Sequence, residues 1–366
     1  MQILVDYRPA LRERTGVGEY MHQLVRAYAR ATSDEVTVFT SSWKDRPAAG
    51  LASALGVRVV DRRIPVRVLN YLWHRAEWPP IETVAGRYDV VHAPHPLLIP
   101  ARHAAQVITI HDLFFLSDPA RTRGEIRRDY PALAETHARR AHAVITSTEY
   151  GRGVVTRQLG VPADRVYVCR PGAPSWRSLG RGPNIPRDGC VLFVGTLEPR
   201  KNLLRLVRAY RRVAANGFPH ALVLAGPLGW HHESLMRELA LRGPGEIVMT
   251  GSLSDDELDA VYRAADVFAY PSLYEGFGLP VVEAMARGVP TVASTTSSVP
   301  EVAADAAIGV NPRSVREIAQ AIESLLSDVD LADKMAARGR ARAERFSWDE
   351  TARLTLDVYE RVLGAK

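Results

Sequence analysis

At 366 residues the chain exceeds one ordinary hydrophobic core and suits two domains of roughly 150–200 residues each. Hydrophobic residues make up 46% and charged residues 24%, the balance of a soluble globular protein. The two cysteines, Cys169 and Cys190, form no CxxC or Cys/His cluster, which argues against a disulfide framework or a zinc site and fits a reducing cytosol. Residues 1–6 lack the basic segment and long apolar run of a secretory signal, and no stretch approaches the roughly 20 apolar residues of a spanning helix. A cytoplasmic protein is expected, with contact to the inner face of a membrane left open. The net charge of +6 is uneven: residues 1–172 carry 24 Lys+Arg against 17 Asp+Glu, whereas residues 173–366 carry 23 against 24. A basic half suits nucleic acid, anionic lipid or a phosphorylated substrate. No helix-turn-helix, zinc-finger or RNA-binding sheet signature is present, so nucleic acid is not expected.

In chain order, 3–6 reads as a short apolar strand, followed by a loop of small and basic residues through Gly18. A helix is predicted from about 19 to 30, with Met21, Leu24, Val25 and Tyr28 at helical spacing. Further strands are predicted over 36–39, 57–60, 89–92, 107–110, 143–146 and 166–168. Short buried strands separated by helical stretches imply a mainly parallel sheet covered on both faces. Between Arg170 and Gly189 the text turns proline- and glycine-rich, a linker signal. The alternation then restarts, with strands over 190–194, 221–225, 246–249, 267–270 and 290–293. The helices between them are predicted over 202–215, 234–241, 255–265 and 280–287, and the chain from 315 onward is largely helical. The fold class is therefore α/β, two doubly wound Rossmann-like domains, with ligands expected at strand carboxyl ends in the cleft between them.

The segment YPSLYEGFGLPVVEAMARGVPT (270–291) is the most informative. A strand ends at Tyr270, a loop with Gly276 and Gly278 follows, Pro280 sits in the first turn of a helix, and Gly288 lies just past its end. Such a glycine loop presents backbone N–H groups and a partial positive charge, which suits a phosphate. It is equally an ordinary strand–turn–helix with a buried glutamate. Glu275 precedes the loop and Glu283 follows eight positions later. Arg200 and Lys201 follow a strand and a proline, either as a solvated basic turn or as cations at a strand's carboxyl end. His111 ends an apolar strand, where a histidine points into a cleft or is satisfied in the core; His92 and His95 share that setting. Asp328-Val-Asp330 spells a metal-binding DxD, but it lies in a polar stretch between helices and reads as a helix cap or solvated turn. No metal is expected.

Glu275 and Glu283, with GFGLPVV between them, resemble the Glu-x7-Glu motif of retaining glycosyltransferases of family 4, whose architecture is GT-B. VGTLEPRKNL (194–203) resembles that family's basic motif, GSLSDDEL (251–258) its base-side loop, YRAADVFAYPS (262–272) the approach to its glutamates and SVPEVAADAA (298–307) the segment beyond. In the first half, TGVGEY (15–20) resembles its glycine loop and IHDL (110–113) its His-containing strand end. The resemblance covers nearly the whole chain. It implies an acceptor-side domain over 1–172, a linker over 173–188, a nucleotide-sugar-binding domain over 189–345 and a C-terminal helix over 346–366 returning toward the first domain. It implies that Glu283 holds the ribose hydroxyls and Glu275 the hexose hydroxyls, without acting as a nucleophile. His111 then contacts the hexose near the reacting carbon, Gly16 and Gly18 approach the donor phosphate or the acceptor, and Leu253, Gly276, Phe277, Gly278 and Leu279 border the nucleotide sugar. Arg200 and Lys201 would stabilise the departing diphosphate, each worth a few kcal/mol of barrier, with no metal and no cofactor besides the donor. The wording VGTLEPRKN resembles mannosyltransferase-like members, so GDP-mannose is the first expectation for the donor and a UDP-hexose the second.

The segment VRVVDRRIPVRVLNYLWHRAEW (57–78) mixes Arg58, Arg62, Arg63, Arg67 and Arg75 with Val66, Leu69, Leu72, Trp73 and Trp78. Arg121, Arg123, Arg127 and Arg128 form a second basic cluster. Basic and aromatic residues together suit a surface on anionic lipid, although a solvated arginine-rich face reads the same way. A glycan or a polyprenyl-pyrophosphate-linked acceptor in polysaccharide biosynthesis would fit that surface. The competing readings are a sugar-nucleotide 2-epimerase of the same fold and a non-catalytic two-lobed carbohydrate-binding protein.

Overall fold

The computed structural model describes residues 1–11, 16–118, 124–173 and 189–364, and, for the side chains, not those of 124–129. The linker over 174–188, Thr15 of the glycine loop, and the arginine cluster at 121, 123, 127 and 128 lie outside the described residues. The described residues divide into two units: residues 1–11, 16–118, 124–172 and 347–364, and residues 173 and 189–346.

In the first unit, strands β1 (Gln2–Asp6), β2 (Glu35–Ser41), β3 (Arg58–Arg62), β4 (Val90–Ala93), β5 (Ala105–Thr109), β6 (Ala143–Thr146) and β7 (Val166–Val168) form one sheet. Its order is β3-β2-β1-β4-β5-β6-β7, and every pairing is parallel. The second unit repeats the plan with β8 (Cys190–Val194), β9 (Ala221–Ala225), β10 (Ile247–Gly251), β11 (Val267–Tyr270), β12 (Thr291–Ser294) and β13 (Ile308–Val310). Its order is β10-β9-β8-β11-β12-β13, again all parallel. The inner strands are buried on both faces, which is why they read as unbroken runs such as CVLFV and ALVLA rather than as alternating patterns. In both sheets the order reverses beside the first strand, so the crevices where such folds take ligands lie between β1 and β4 and between β8 and β11.

On the other side of β8, the turns after β8 and β9 must come close. A Cβ on Gly226 would sit 2.2 Å from the Gly195 carbonyl oxygen, and both residues hold φ near +140°. Only glycine permits that conformation and that approach, and it lets the turn after β8 lie flat against the turn after β9.

The structure departs from the sequence reading in three places. The first helix starts at Val17, so Gly18 lies in its first turn rather than in a loop, with the Pro9 carbonyl oxygen 2.8 Å from where a Cβ would be. Strand β13 has no counterpart in the reading, because three residues with a central glycine carry too little pattern. Within 57–78, Leu69 and Trp73 are fully buried. Trp73 packs against Phe39 and under the Arg8 guanidinium, and its Nε1 donates to the Pro79 carbonyl at 3.0 Å. These two residues serve the core and not a lipid-facing surface.

The helix Trp348–Gly364 belongs to the first unit and packs along the helix Val17–Ala31. The Tyr359 hydroxyl joins Tyr28 Oη at 2.8 Å and His92 Nδ1 at 2.6 Å, while His92 Nε2 meets Thr109 Oγ1 at 2.7 Å. His92 is thus a core histidine with both ring nitrogens satisfied. Tyr359→Phe would leave two buried polar groups short of a partner, at a cost of about 1–3 kcal/mol. A lower midpoint in denaturant unfolding, with unchanged far-UV circular dichroism at rest, is the expected result.

Candidate active site

The turn after β8 and the turn after β11 supply the charged groups of the second unit. Arg200 and Lys201 sit in a single 3-10 turn, Pro199–Lys201, set off by Glu198. That turn is held by Asn202, whose backbone takes a left-handed conformation (φ 62°) that asparagine tolerates better than most residues. Its Nδ2 donates to the carbonyls of Pro271 (2.9 Å) and Pro312 (2.6 Å), and the Arg200 carbonyl accepts from Leu273 N at 2.9 Å. The two turns are therefore stitched together before any ligand arrives.

Glu275 is the centre of this cluster. It is 4% exposed, and Lys201 Nζ lies 2.8 Å from its Oε1 while Arg200 Nη1 lies 3.9 Å from its Oε2. Burial alone would raise its pKa, but Lys201 and then Arg200 outweigh it and hold the carboxyl below its ordinary 4.5. Lys201 Nζ also donates to Tyr270 Oη at 2.6 Å. Tyr270 is fixed between Phe193 and Phe268, each stacked at 5.7 Å. Arg200 is oriented by Glu198, whose Oε1 accepts from Nε and lies 2.9 Å from Nη2. Behind Glu275, its N–H donates to Ser297 Oγ at 2.9 Å and its carbonyl accepts from Ser298 Oγ at 2.8 Å. Ser297 holds φ at +56°, an uncommon conformation for a residue with a side chain.

Gly278, at φ +100°, turns the chain into the helix Leu279–Ala286, and no side chain caps that helix. Pro280 has no N–H and Val281 N donates to the Gly278 carbonyl at 2.9 Å, so the Leu279 N–H is the group of the first turn left to solvent or to an anion. A Cβ at Gly278 would come within 3.9 Å of the Tyr270 ring, so this helix start lies beside the Lys201–Tyr270 contact. Gly276 and Phe277 form the turn, with Phe277 buried against Phe346. Leu279 opens the helix, and Glu283, buried one turn in, accepts from Tyr262 Oη through Oε2 at 2.8 Å. Leu253 packs half-buried on the core of the same unit, ahead of a capping box formed by Ser254 and Glu257.

His111, Gly16 and Gly18 belong to the first unit. Gly16 (φ 53°) precedes the helix Val17–Ala31, and a Cβ there would meet nothing within 4 Å. His111 is half-buried, packs edge-on to Tyr20 at 4.7 Å, and has an Nε2 that is covered without a hydrogen-bond partner among the described residues. Burial pushes its pKa from 6.5 down to about 4, against the pull of Asp112 and of a hydrogen bond to the Pro94 carbonyl. His95 instead lies 3.3 Å from Asp6 Oδ2, beside the Asp6–Arg8 ion pair. Asp328 accepts Leu331 N at 2.9 Å and caps the helix Val329–Ala343, which accounts for the DxD-like text.

Sequence reasoning assigned no role to Glu198, Asn202, Tyr262, Tyr270, Ser297 or Ser298. Asn202 and Glu198 flank the Arg-Lys pair and were open to suspicion on that ground. The two serines lie more than 20 positions beyond Glu275, and only the fold brings them to its backbone.

His92 and His111 are neutral in the folded state, with pKa values pushed down to about 3 and about 4 from 6.5. The unfolded chain binds more protons between those values, so stability is present above pH 6.5 and is lost as pH falls toward 4. Each histidine contributes a slope of at most about 1.4 kcal/mol per pH unit. Glu275, held below 4.5, adds a loss in the same direction at lower pH. Denaturant titrations from pH 7 to 4 are expected to show falling stability, with a shallower slope in His111→Gln.

A family model described as glycosyl transferases group 1 matches residues 181–342, and one described as glycosyltransferase family 4 matches residues 14–176. The O-antigen chain mannosyltransferase B of Escherichia coli is 30% identical, across 98% of this chain and 100% of its own. The MMP alpha-(1->4)-mannosyltransferase of Mycolicibacterium hassiacum is 43% identical, but over 36% of this chain and 33% of its own. Among solved structures, sucrose-phosphate synthase from Thermosynechococcus elongatus matches with a TM-score of 0.75 at 22% identity, covering 100% of this chain and 99% of that one. HepE of Anabaena in complex with UDP and glucose matches at 0.68 and 19% identity, covering 98% of each. The likeness to solved structures is one of fold, the GT-B architecture.

Proposed function

The chain is a member of glycosyltransferase family 4 and a hexosyltransferase, and we propose that it moves a mannosyl group from GDP-mannose to a glycan or polyprenyl-pyrophosphate-linked acceptor, with retention of configuration and without a metal. The observation that carries this reading is the clasp of Glu275 by Lys201 and Arg200 beside the uncapped helix start at Gly278. Two cations beside the positive end of a helix suit a diphosphate, and a carboxylate held among them suits sugar hydroxyls.

In the reaction the bond between the anomeric carbon and the diphosphate oxygen breaks. Arg200 and Lys201 stabilise the charge that gathers on the departing diphosphate. The acceptor oxygen bonds to the anomeric carbon on the face that the diphosphate leaves, and its proton passes to the departing oxygen. His111, with a pKa near 4, is a poor base for removing an acceptor proton from the opposite face. Glu275, engaged by Lys201, is an acceptor for hydroxyls rather than a nucleophile. Glu283 takes the ribose hydroxyls. The engagement of Asp328 as a helix cap favours a reaction that uses no metal there.

Mannose is preferred because two relatives that align over 98% and 70% of this chain carry that activity in their names. A UDP-hexose remains second, since a structural neighbour was solved with UDP and glucose. Peripheral contact with an anionic membrane is supported by Trp43 (71% exposed), Tyr71 (67%) and Trp78 (59%), with Val68, Arg63, Arg67 and Arg75 also exposed. Among the described residues, no helix is long and apolar enough to cross a membrane.

The test is a transfer assay with GDP-mannose and UDP-glucose, followed by NMR of the new bond. An alpha-linked product from an alpha-linked donor, formed in excess EDTA, is the expected result; a beta-linked product or abolition by chelator overturns the reading. Lys201→Ala is expected to lower kcat by about 10²–10³-fold. Guanosine affinity, which does not involve the diphosphate, should change far less, by about twofold at most, in a direct titration.

A further inference from the structure

We propose that Tyr262 is the positioning residue that aims the Glu283 carboxylate at the ribose of the donor nucleotide, with Asp259 and Arg287 locking the helical turn that carries it. The inference rests on the reading of Glu283 as the ribose acceptor. Tyr262 lies near the end of the helix Asp255–Arg263 and is fully buried. Its hydroxyl donates to Glu283 Oε2 at 2.8 Å, and burial, followed by the neighbouring Glu283, pushes the phenol well above its ordinary 10. The phenol therefore stays a donor at any working pH.

A second grip acts on the backbone of the same residue. Arg287 Nη1 donates to the Glu283 carbonyl at 3.2 Å, while its Nε donates to Asp259 Oδ1 at 2.8 Å. The Arg287 guanidinium also lies over the Tyr262 ring, 5.5 Å from its centroid. Asp259 and Tyr262 stand three residues apart on one helix and so share a face. From that face they hold Glu283 by its side chain and, through Arg287, by its carbonyl.

A glutamate has three rotatable side-chain bonds, and a ribose offers two hydroxyl donors at a fixed spacing. A carboxylate already engaged at one oxygen loses little further freedom when the diol arrives. The geometry thus favours a ribonucleotide over its 2′-deoxy form, and it assigns part of that preference to a residue that does not touch the ligand.

The experiment is calorimetric titration of wild type, Tyr262→Phe, Glu283→Gln and the double variant with GDP and 2′-deoxy-GDP, and with UDP and 2′-deoxy-UDP. Phenylalanine keeps the packing of the ring beside Phe268 and Arg287. In wild type the ribo form should bind about tenfold or more tighter, the value of one hydrogen bond to a charged group. Glu283→Gln should abolish most of that preference. Tyr262→Phe should reduce it several-fold by weakening the ribo form alone, with no further loss in the double variant. Equal weakening of both forms, or an unchanged preference, in Tyr262→Phe overturns the positioning role. An unchanged preference in Glu283→Gln overturns instead the reading of Glu283 on which it rests.

Discussion

A carboxylate withdrawn from water is tolerated only where cations and hydrogen-bond donors take over from the solvent, and Glu275 is the point at which the second unit meets that demand. Lys201 and Arg200 answer its charge, Ser297 and Ser298 hold its backbone, and Tyr270 and Glu198 fix the cations in turn. Removing one partner of such a buried pair generally costs about 3–5 kcal/mol, because the other charge stays behind. The same side chains are those assigned to the donor, so folding and binding draw on a single network. Changes at these positions will therefore move stability and activity together, and only measurements that separate ground-state from transition-state effects can divide the two.

The network is possible because of where the parallel sheet puts its loops. Strands β8 and β11 are neighbours at the point where the strand order reverses, and their following turns lie side by side. Arg200 and Lys201 come from the first of these turns and Glu275 from the second. The close approach of Gly226 to Gly195 keeps the neighbouring turn after β9 tight against the first. Asn202 then bridges to Pro271 beyond β11 and Pro312 beyond β13, so a single amide ties three strand ends. The rigidity of the charged cluster is a property of the backbone at these ends more than of the long side chains themselves.

Much of this was legible in the amino-acid text, for physical reasons. Doubly buried parallel strands are continuous apolar runs, and the runs over 143–146, 190–194, 221–225 and 267–270 coincide with β6, β8, β9 and β11. The Pro280 start and Gly288 stop bracket the helix Leu279–Ala286 to within a residue. What escaped were features decided by tertiary contact. Trp73 and Leu69 look like parts of a basic aromatic surface until Arg8 is seen lying across the indole. Gly18 reads as loop because glycine is rare inside helices, yet the Pro9 carbonyl leaves no room for another side chain there. Ser297 and Ser298 are ordinary polar residues in the text, and their role exists only because β12 delivers them beside β11.

The pairing of the cations bears on how the site can work. Arg200 and Lys201 are already matched by Glu198 and Glu275, so their cluster carries no formal excess charge, and residues 173–366 as a whole carry one more acidic than basic residue. Raw electrostatic attraction to an anion therefore contributes little at this place in the ground state. What the cluster offers is fixed orientation, with donors already aimed by Glu198 and Tyr270. Such an arrangement responds most to charge that grows during a reaction, because the added negative charge meets dipoles and cations that need not move. A site built for tight anion capture would leave its cations unmatched. One built to stabilise a leaving diphosphate gains from holding them in balance until the bond breaks.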